Sequence, residues 1–212
     1  MEARFGAVDT LVLGIGNLLW ADEGFGVRAV AALNEGWEFP PEVTLMDGGT
    51  QGLYLLPHVQ SARRILVFDA IDYGLEPGAL QVVRDGDIPA YLGVGKMSLH
   101  QSSFQEVLQL AQLSGRSPER AVLVGVQPQL LKDFGGSLTE VVRARLPEAL
   151  AIGLDVLAAW GVAARRRESA PAADLFDPSL AIARYEDGRP GEGEACRVGD
   201  ARFLVSRPGE PR

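Results

Sequence analysis

Along residues 1–162, short apolar runs alternate with longer amphipathic stretches. The apolar runs have the length and composition of β-strands. They predict strands at Val8 to Leu13, Val43 to Met46, Ile65 to Phe68, Leu80 to Val83 and Ala121 to Val126. The amphipathic stretches predict helices over Glu23 to Leu33, Leu53 to Val59, Ser102 onward and Ser137 to about Trp160. Strands separated by helices favour an α/β sandwich with a largely parallel sheet.

Local signals refine this pattern at three places. The strand Leu80 to Val83 follows the turn Glu76-Pro77-Gly78 without a helix before it, so we expect it to run antiparallel at a sheet edge. A capping box predicts that a helix begins at Ser102. Pro147 must break or kink the last long helix, because proline removes a helical hydrogen bond.

The character of the chain changes at about residue 163. The run Arg165-Arg166-Arg167-Glu168 and the Ala- and Pro-rich residues behind it are typical of a linker. Two short β-like patches follow, at Leu180 to Tyr185 and Phe203 to Val205. We therefore predict an α/β domain over residues 1–162 and a C-terminal extension over residues 163–212 that is partly ordered at best.

The net charge of −8 and the single cysteine exclude several classes of function. A groove for nucleic acid needs excess Lys and Arg, so we expect no nucleic-acid partner. Cys196 alone forms neither an intrachain disulfide nor a Cys-rich metal site. The first ten residues lack the apolar stretch of a signal peptide, and the run Val156 to Ala164 is about half of a membrane span. We expect a cytoplasmic protein without membrane contact.

Polar residues follow three of the predicted strands, at Gly14 to Asn17, Asp47 to Thr50 and Asp69 to Asp72. Ligands of open α/β sheets bind beyond the carboxyl ends of parallel strands, so this convergence predicts a site. Asp in a turn commonly hydrogen-bonds the backbone of its own loop, and we predict this role for Asp47. Asp69 is either a loop cap or a ligand.

Asp22 and Glu23 stand at the start of the first predicted helix. We interpret Asp22 as the N-cap that satisfies free backbone N–H groups. Glu23 shares the i, i+4, i+7 row of Val27 and Val30, which places it along the buried face near the strand ends. A carboxylate at that place is a candidate ligand or catalytic group, and an acid that interacts with the helix dipole is the alternative.

The two histidines have different surroundings. His58 follows Pro57 at a predicted helix end, where a surface or C-cap role is the default. His100 lies in the loop Lys96 to Gln101, just before a capped helix. With Glu23 and Asp69, His100 would make a three-ligand site for a borderline divalent cation, with coordination positions left open.

Gly14-Ile15-Gly16 after a strand is similar to part of a dinucleotide-binding fingerprint, but position 19 is Leu instead of the third glycine. We therefore prefer a tight strand-to-loop turn and keep a nucleotide-binding oxidoreductase as an alternative. The motifs H-E-x-x-H, G-x-S-x-G and the P-loop do not occur in the chain.

Several blocks become specific when they are taken together and in order. They are Leu11 to Asn17, Asp22 to Arg28, Asp47 to Thr50, Asp69 to Ile71, Leu99 to Gln101 and Leu123 to Pro128. In this combination the chain resembles the hydrogenase maturation endopeptidases. These proteins remove a short C-terminal peptide from the large subunit of nickel–iron hydrogenases after nickel is inserted.

The resemblance implies a three-layer sandwich, in which helices cover both faces of a twisted, mostly parallel five-stranded sheet. It places Glu23, Asp69 and His100 at the metal-contacting positions of the family. It implies an endopeptidase that recognises nickel in the precursor of the large subunit and keeps no permanent metal of its own. We expect this protein to be a monomer when free.

The residues leave two questions open. Nickel either only reports that assembly is complete or also activates the scissile bond, and a carboxylate general base is the other possibility. The catalytic candidates are Glu23, Asp69 and Asp47. A nickel-dependent chaperone of the same fold, which binds the large subunit without cutting it, is the alternative to a protease.

Overall fold

The computed structural model describes residues 8–88, 99–131, 133–169, 171 and 174–188, and within 99–103 the backbone alone. The strands of these ranges are β1 (Val8–Ile15), β2 (Trp37–Glu38), β3 (Val43–Gly49), β4 (Ala62–Ala70), β5 (Leu80–Arg84), β6 (Arg120–Val126) and β7 (Arg165–Arg166). The α-helices are α1 (Phe25–Gly36), α2 (Leu56–Ser61), α3 (Leu99–Leu113), α4 (Glu140–Arg143), α5 (Leu146–Ala159) and α6 (Ile182–Asp187). Single 3-10 turns lie at Ala21–Gly24, Gly52–Leu55, Asp85–Asp87 and Pro178–Leu180.

The central sheet has five strands in the order β3-β1-β4-β6-β5. Neighbouring strands pair in parallel from β3 to β6, and β5 pairs antiparallel with β6 at the edge. This confirms the prediction of an antiparallel edge strand. The parallel strands therefore all end at one edge of the sheet, which we call the C-terminal edge.

Side chains of β1 alternate between two apolar clusters, because successive residues of a strand point to opposite faces. Val12 packs in the cluster that includes Phe25 of α1 and Leu157 of α5. Leu13 packs in the cluster that includes Val107 of α3. Helices thus cover both faces of the sheet, which confirms the predicted three-layer sandwich. Burial of each such side chain stabilises the fold by about 1.5–3 kcal/mol.

The predicted helix starts at Glu23 and Ser102 differ from the observed ones, whereas the predicted break at Pro147 agrees with the structure. The first α-helix begins at Phe25 rather than at Glu23, since a 3-10 turn precedes it. The helix predicted to begin at Ser102 begins at Leu99. The predicted break at Pro147 is confirmed, because α4 ends at Arg143 and α5 begins at Leu146, with the proline in its first turn.

The C-terminal extension packs against the α/β domain within the described ranges. Strand β7 pairs antiparallel with β2. The prediction of a β-like patch at Leu180 to Tyr185 is wrong, because the segment forms a 3-10 turn followed by α6. Asp177 accepts a hydrogen bond from the Ser179 N–H at 2.8 Å and so starts a helical turn, as an N-cap does. Phe203 to Val205 lies outside the described residues, and the domain division at residue 162 stays a prediction.

A continuous stretch able to cross a bilayer as a helix does not occur within the described ranges.

Candidate functional site

Close backbone approach at three glycines brings the start of α1 onto the C-terminal edge. A Cβ atom on Gly14 would lie 2.4 Å from the carbonyl oxygen of Gly26. A Cβ atom on Gly26 would lie 2.1 Å from the carbonyl oxygen of Phe68. Gly16, at φ +132°, leaves no room for a Cβ because the carbonyl oxygen of Glu23 occupies that space. The glycines therefore seat the turn that carries Glu23 against the ends of β1 and β4.

The same contacts remove the alternative of a dinucleotide loop. In such a loop, the glycines let the backbone approach a pyrophosphate. Here the space beside Gly14 and Gly16 is filled by the backbone of residues 23–27 of the same chain. The nucleotide-binding oxidoreductase hypothesis is therefore wrong for this motif, and the tight-turn interpretation is the one that agrees with the structure.

Asp69 is a buried carboxylate near the end of β4, one residue before the strand ends at Ala70. Only 1% of its surface is exposed. Its Oδ1 atom accepts a hydrogen bond from the Ala70 N–H at 2.8 Å, while Oδ2 is buried with no hydrogen-bond partner among the described residues. A buried carboxylate oxygen without a donor is costly, so a proton or a cation is needed there.

The carboxyl groups of Asp69 and Glu23 interact electrostatically. Burial raises the pKa of the Asp69 carboxyl well above its ordinary value, the Ala70 N–H lowers it, and the negative charge of Glu23 raises it further. Burial also raises the pKa of Glu23, which is half-buried. Two neighbouring carboxylates with raised pKa values form a site that favours either a shared proton or a bound cation.

Glu23 lies near the strand ends for a different structural reason from the one predicted. The residue lies in the 3-10 turn Ala21–Gly24, so it does not belong to the helical row of Val27 and Val30. Its place is set by the turn and by the glycine contacts, with the Asn17 N–H donating to the Glu23 carbonyl oxygen at 3.1 Å. Glu23 therefore lies near the strand ends, as predicted, but outside the helical row.

Asp22 is not an N-cap, which corrects the prediction. The 3-10 turn and α1 have no side-chain cap hydrogen bond. The Asp22 side chain is fully buried and accepts hydrogen bonds from the N–H groups of Gln129, Leu130 and Thr139 at 2.7–2.9 Å, and from the Thr139 hydroxyl at 3.1 Å. Its carboxylate therefore anchors the loop that follows β6.

Asp47 lies within β3, where its Oδ1 atom accepts a hydrogen bond from the Gly49 N–H at 2.8 Å. This confirms the prediction that Asp47 hydrogen-bonds its own loop. Burial raises the pKa of Asp47 and the Gly49 N–H lowers it. The Gly16 N–H donates to the Gly49 carbonyl oxygen at 3.0 Å, so this loop lies beside the one that leads to Glu23.

His100 lies in the first turn of α3 and not in the loop that was predicted. Strand β6 follows α3 and runs parallel to β4, so α3 runs back from the C-terminal edge and its first turn lies near that edge. Strand alternation places Asp69 on the face of Val67 and Ile71, the face covered by α3. The side chain of His100 is outside the described parts, and its contact with the carboxylates stays a prediction.

A complete metal centre is not present among the described side chains, where no group of three His, Cys, Asp or Glu residues comes together. His58 lies in the last turn of α2, and its backbone carbonyl oxygen accepts a hydrogen bond from the Ser61 hydroxyl at 2.9 Å.

Gln127 is a buried site residue that the pattern reasoning missed. Its Oε1 atom accepts hydrogen bonds from the Tyr73 and Leu75 N–H groups at 2.8 and 3.1 Å. Its Nε2 atom donates to Asp72 at 3.0 Å. Gln127 thereby joins the loop after β4 to the loop after β6. A polar residue directly after the apolar run Leu123 to Val126 was the available signal.

Comparison with known proteins connects this arrangement to hydrogenase maturation. Residues 27–156 match the family model for hydrogenase maturation protease, HycI. The hydrogenase expression/formation protein HoxM of Azotobacter vinelandii is 56% identical over 202 residues, which cover 95% of this chain and 97% of that protein. HoxM of Cupriavidus necator is 54% identical over 196 residues, which cover 92% of this chain and 97% of that protein.

A solved structure from the same family has the same fold. The hydrogenase maturating endopeptidase HybD of Escherichia coli superimposes with a TM-score of 0.72 at 37% identity, over 75% of this chain and 98% of that one. The HoxM relatives thus align with the extension as well, whereas the HybD structure matches three quarters of the chain.

Proposed function

The chain belongs to the hydrogenase maturation protease family, and we propose that it removes a C-terminal peptide from the nickel-loaded large subunit of a nickel–iron hydrogenase. That the chain is a protease follows from its family and from the endopeptidases that share its fold. We infer the substrate, the role of nickel and the residues that act from the site itself. The observation that carries it is the buried, unpartnered Oδ2 atom of Asp69 beside Glu23.

The two carboxylates form a site that favours the binding of a cation. Each has a raised pKa, and the negative charge of Glu23 contributes to the shift at Asp69. A divalent ion relieves this repulsion and supplies the partner that Asp69 Oδ2 lacks. Carboxylate and imidazole groups suit a borderline ion such as nickel, and His100 is the third ligand of the proposal.

In this proposal the nickel belongs to the substrate. Three ligands without cysteine leave coordination positions for thiolates of the precursor, and they make a poor closed site for a metal of the protein's own. A precursor that carries nickel binds better than an empty one, so binding to Glu23 and Asp69 tests whether assembly is complete. The affinity difference between the two forms is the checkpoint.

Peptide hydrolysis also needs a group that activates water. Glu23 and Asp47 are both half-buried carboxylates, and burial raises the pKa of each. Asp69 is fully buried and therefore less accessible to a water molecule. We therefore keep Glu23 and Asp47 as the candidates for the general base.

The proposal includes a free monomer that acts in the cytoplasm on one partner, the large-subunit precursor. One cysteine in 212 residues suits a reducing compartment. The non-cleaving chaperone is supported less well than the protease, because the matched family model and the structural neighbours are described as proteases and endopeptidases.

Purified precursor tests the proposal directly. The protein is incubated with nickel-loaded precursor and, in parallel, with the same precursor purified without nickel. We expect mass spectrometry to show loss of a C-terminal peptide from the loaded form only. Binding without cleavage of the loaded form would favour the chaperone, and equal cleavage of both forms would contradict the nickel checkpoint.

A further inference from the structure

An exposed group of apolar side chains lies next to Glu23. It consists of Leu19, Trp20, Leu130 and Phe134, which we call the apolar rim. Leu19, Leu130 and Phe134 are 40%, 41% and 64% exposed, and Trp20 is half-buried. The rings of Trp20 and Phe134 meet edge to face, with centroids 5.4 Å apart and an interplanar angle of 64°. Several exposed apolar side chains on adjoining loops indicate a binding surface.

The apolar rim is held in place by the backbone. Trp20 and Phe134 form an antiparallel β-bridge, and the Gly135 N–H donates to the Leu19 carbonyl oxygen at 2.7 Å. The Asp22 N–H donates to the Leu130 carbonyl oxygen at 3.1 Å, while the Asp22 carboxylate accepts from the Leu130 N–H at 2.8 Å. A surface that is already ordered loses little conformational entropy when a partner binds.

The apolar rim is continuous with the carboxylate site. The Glu23 N–H donates to the Trp20 carbonyl oxygen at 2.9 Å, so the aromatic ring and the carboxylate belong to one turn. A peptide whose scissile bond lies at Glu23 and Asp69 has to pass over or beside this turn. Leu113, at the C-terminal end of α3, is also exposed but lies near the opposite edge of the sheet.

We propose that the apolar rim binds an apolar segment of the precursor next to the peptide bond that is cleaved. This inference rests on the proposed function, because it takes the precursor as the occupant of the site. Trp20 and Phe134 supply large contact areas that lose little side-chain entropy, as the energetically important residues of protein interfaces do. Nickel then reports the loaded state of the precursor, and the apolar rim contributes affinity that does not depend on nickel.

The test compares Phe134→Ser with Leu113→Ser, a control that removes an exposed apolar side chain far from the site. The affinity of each variant is measured for nickel-free precursor, which the proposed checkpoint leaves uncleaved. We expect Phe134→Ser to weaken binding about tenfold and Leu113→Ser to leave it unchanged. With loaded precursor, Phe134→Ser should raise KM by a similar factor at unchanged kcat.

The outcomes separate the two proposals. Equal affinities of both variants and the unmodified protein for the precursor would overturn the role of the apolar rim, even if cleavage proceeds normally. A fall in kcat at unchanged KM would also overturn it. If sedimentation shows that the unmodified protein self-associates and that Phe134→Ser alone abolishes this, the occupant is a second copy. If no form cleaves loaded precursor but Phe134→Ser still weakens binding, the proposed function fails and the docking surface stands.

Discussion

Asp22 and Thr139 are 117 residues apart in the chain, and two hydrogen bonds join their side chains and backbone. The Asp22 carboxylate receives both the N–H and the hydroxyl of Thr139, at 2.7 and 3.1 Å. The turn that carries Glu23 is therefore locked to the loop after β6, which bears half of the apolar rim. One buried charge sets the geometry of the carboxylate site and of the proposed docking surface together.

Asp22→Asn should destabilise the protein, although the two side chains have nearly the same shape. An amide presents an NH₂ group where the carboxylate accepts backbone N–H groups, so at least one donor loses its partner. We expect the free energy of unfolding to fall by about 2–3 kcal/mol, measured by urea denaturation. Asp155→Asn, on the exposed face of α5, is the matched control and should change little. Equal stability of the two variants would mean that the hydrogen bonds to Asp22 contribute nothing measurable.

Glu23→Gln and Asp69→Asn should each reduce processing of the precursor by about 10–100-fold or more, because an amide is a far weaker ligand for a divalent ion. His100→Ala should act in the same direction if the imidazole is the third ligand. Pulse-chase measurement of the large subunit in cells reports the rate, and protein levels are compared by immunoblotting. Glu42→Gln changes an exposed acid away from the site and is the control. Normal processing by Glu23→Gln and Asp69→Asn would move the function to the loop of Asp47.

Asp69 should make the stability of the metal-free protein depend on pH. Its pKa in the folded state is raised well above 3.8. As pH rises above the unfolded-state pKa, the unfolded chain releases a proton that the fold still holds, so stability falls until the folded-state pKa is passed. Asp69→Asn should therefore increase the free energy of unfolding at neutral pH by about 1–2 kcal/mol. This gain should disappear below the unfolded-state pKa, where both states are protonated.

Urea denaturation in the presence of a chelator, at neutral pH and at about pH 3, measures this difference. Asp155→Asn serves again as the control, because its carboxyl is exposed. A gain from Asp69→Asn that is the same at both pH values would show that the substitution acts by packing and not by removing a buried charge.

Gly26→Ala should disrupt the packing of the turn that carries Glu23 against the sheet. The added methyl group would lie 2.1 Å from the Phe68 carbonyl oxygen and 2.3 Å from that of Ile15, so α1 must move away from the sheet. We expect a loss of at least about 3 kcal/mol in the free energy of unfolding, as for severe overpacking of a core. Gly86→Ala is the control, since a Cβ there meets nothing within 4 Å. A variant at Gly26 with unchanged thermal stability would contradict the close approach.

The sequence by itself determined the layered architecture. Each of the five predicted strands lies within an observed one, and the antiparallel edge strand was recognised from its missing crossover helix. These features depend on the periodicity of apolar residues, which is a local property of the chain. The sequence also located Glu23 and Asp69 as candidate site residues, because Asp69 ends an apolar run and Glu23 begins the first helical stretch. The observed strands run further than predicted because polar residues such as Asp69 still pair in the ladder, here with Gly125.

Only the tertiary structure decided what Asp22 does, because its partners are 107 to 117 residues away and no local pattern indicates them. The same holds for residues 180–185, which were predicted to form a β-like patch. Their helix lies against Arg28, which donates to the Leu180 carbonyl oxygen and stacks on the Tyr185 ring, while Arg143 pairs with Glu186. Local propensity in a short segment is weak, and contacts with distant residues outweigh it. The pattern of the chain located the two carboxylates, but long-range hydrogen bonds and packing determined their surroundings.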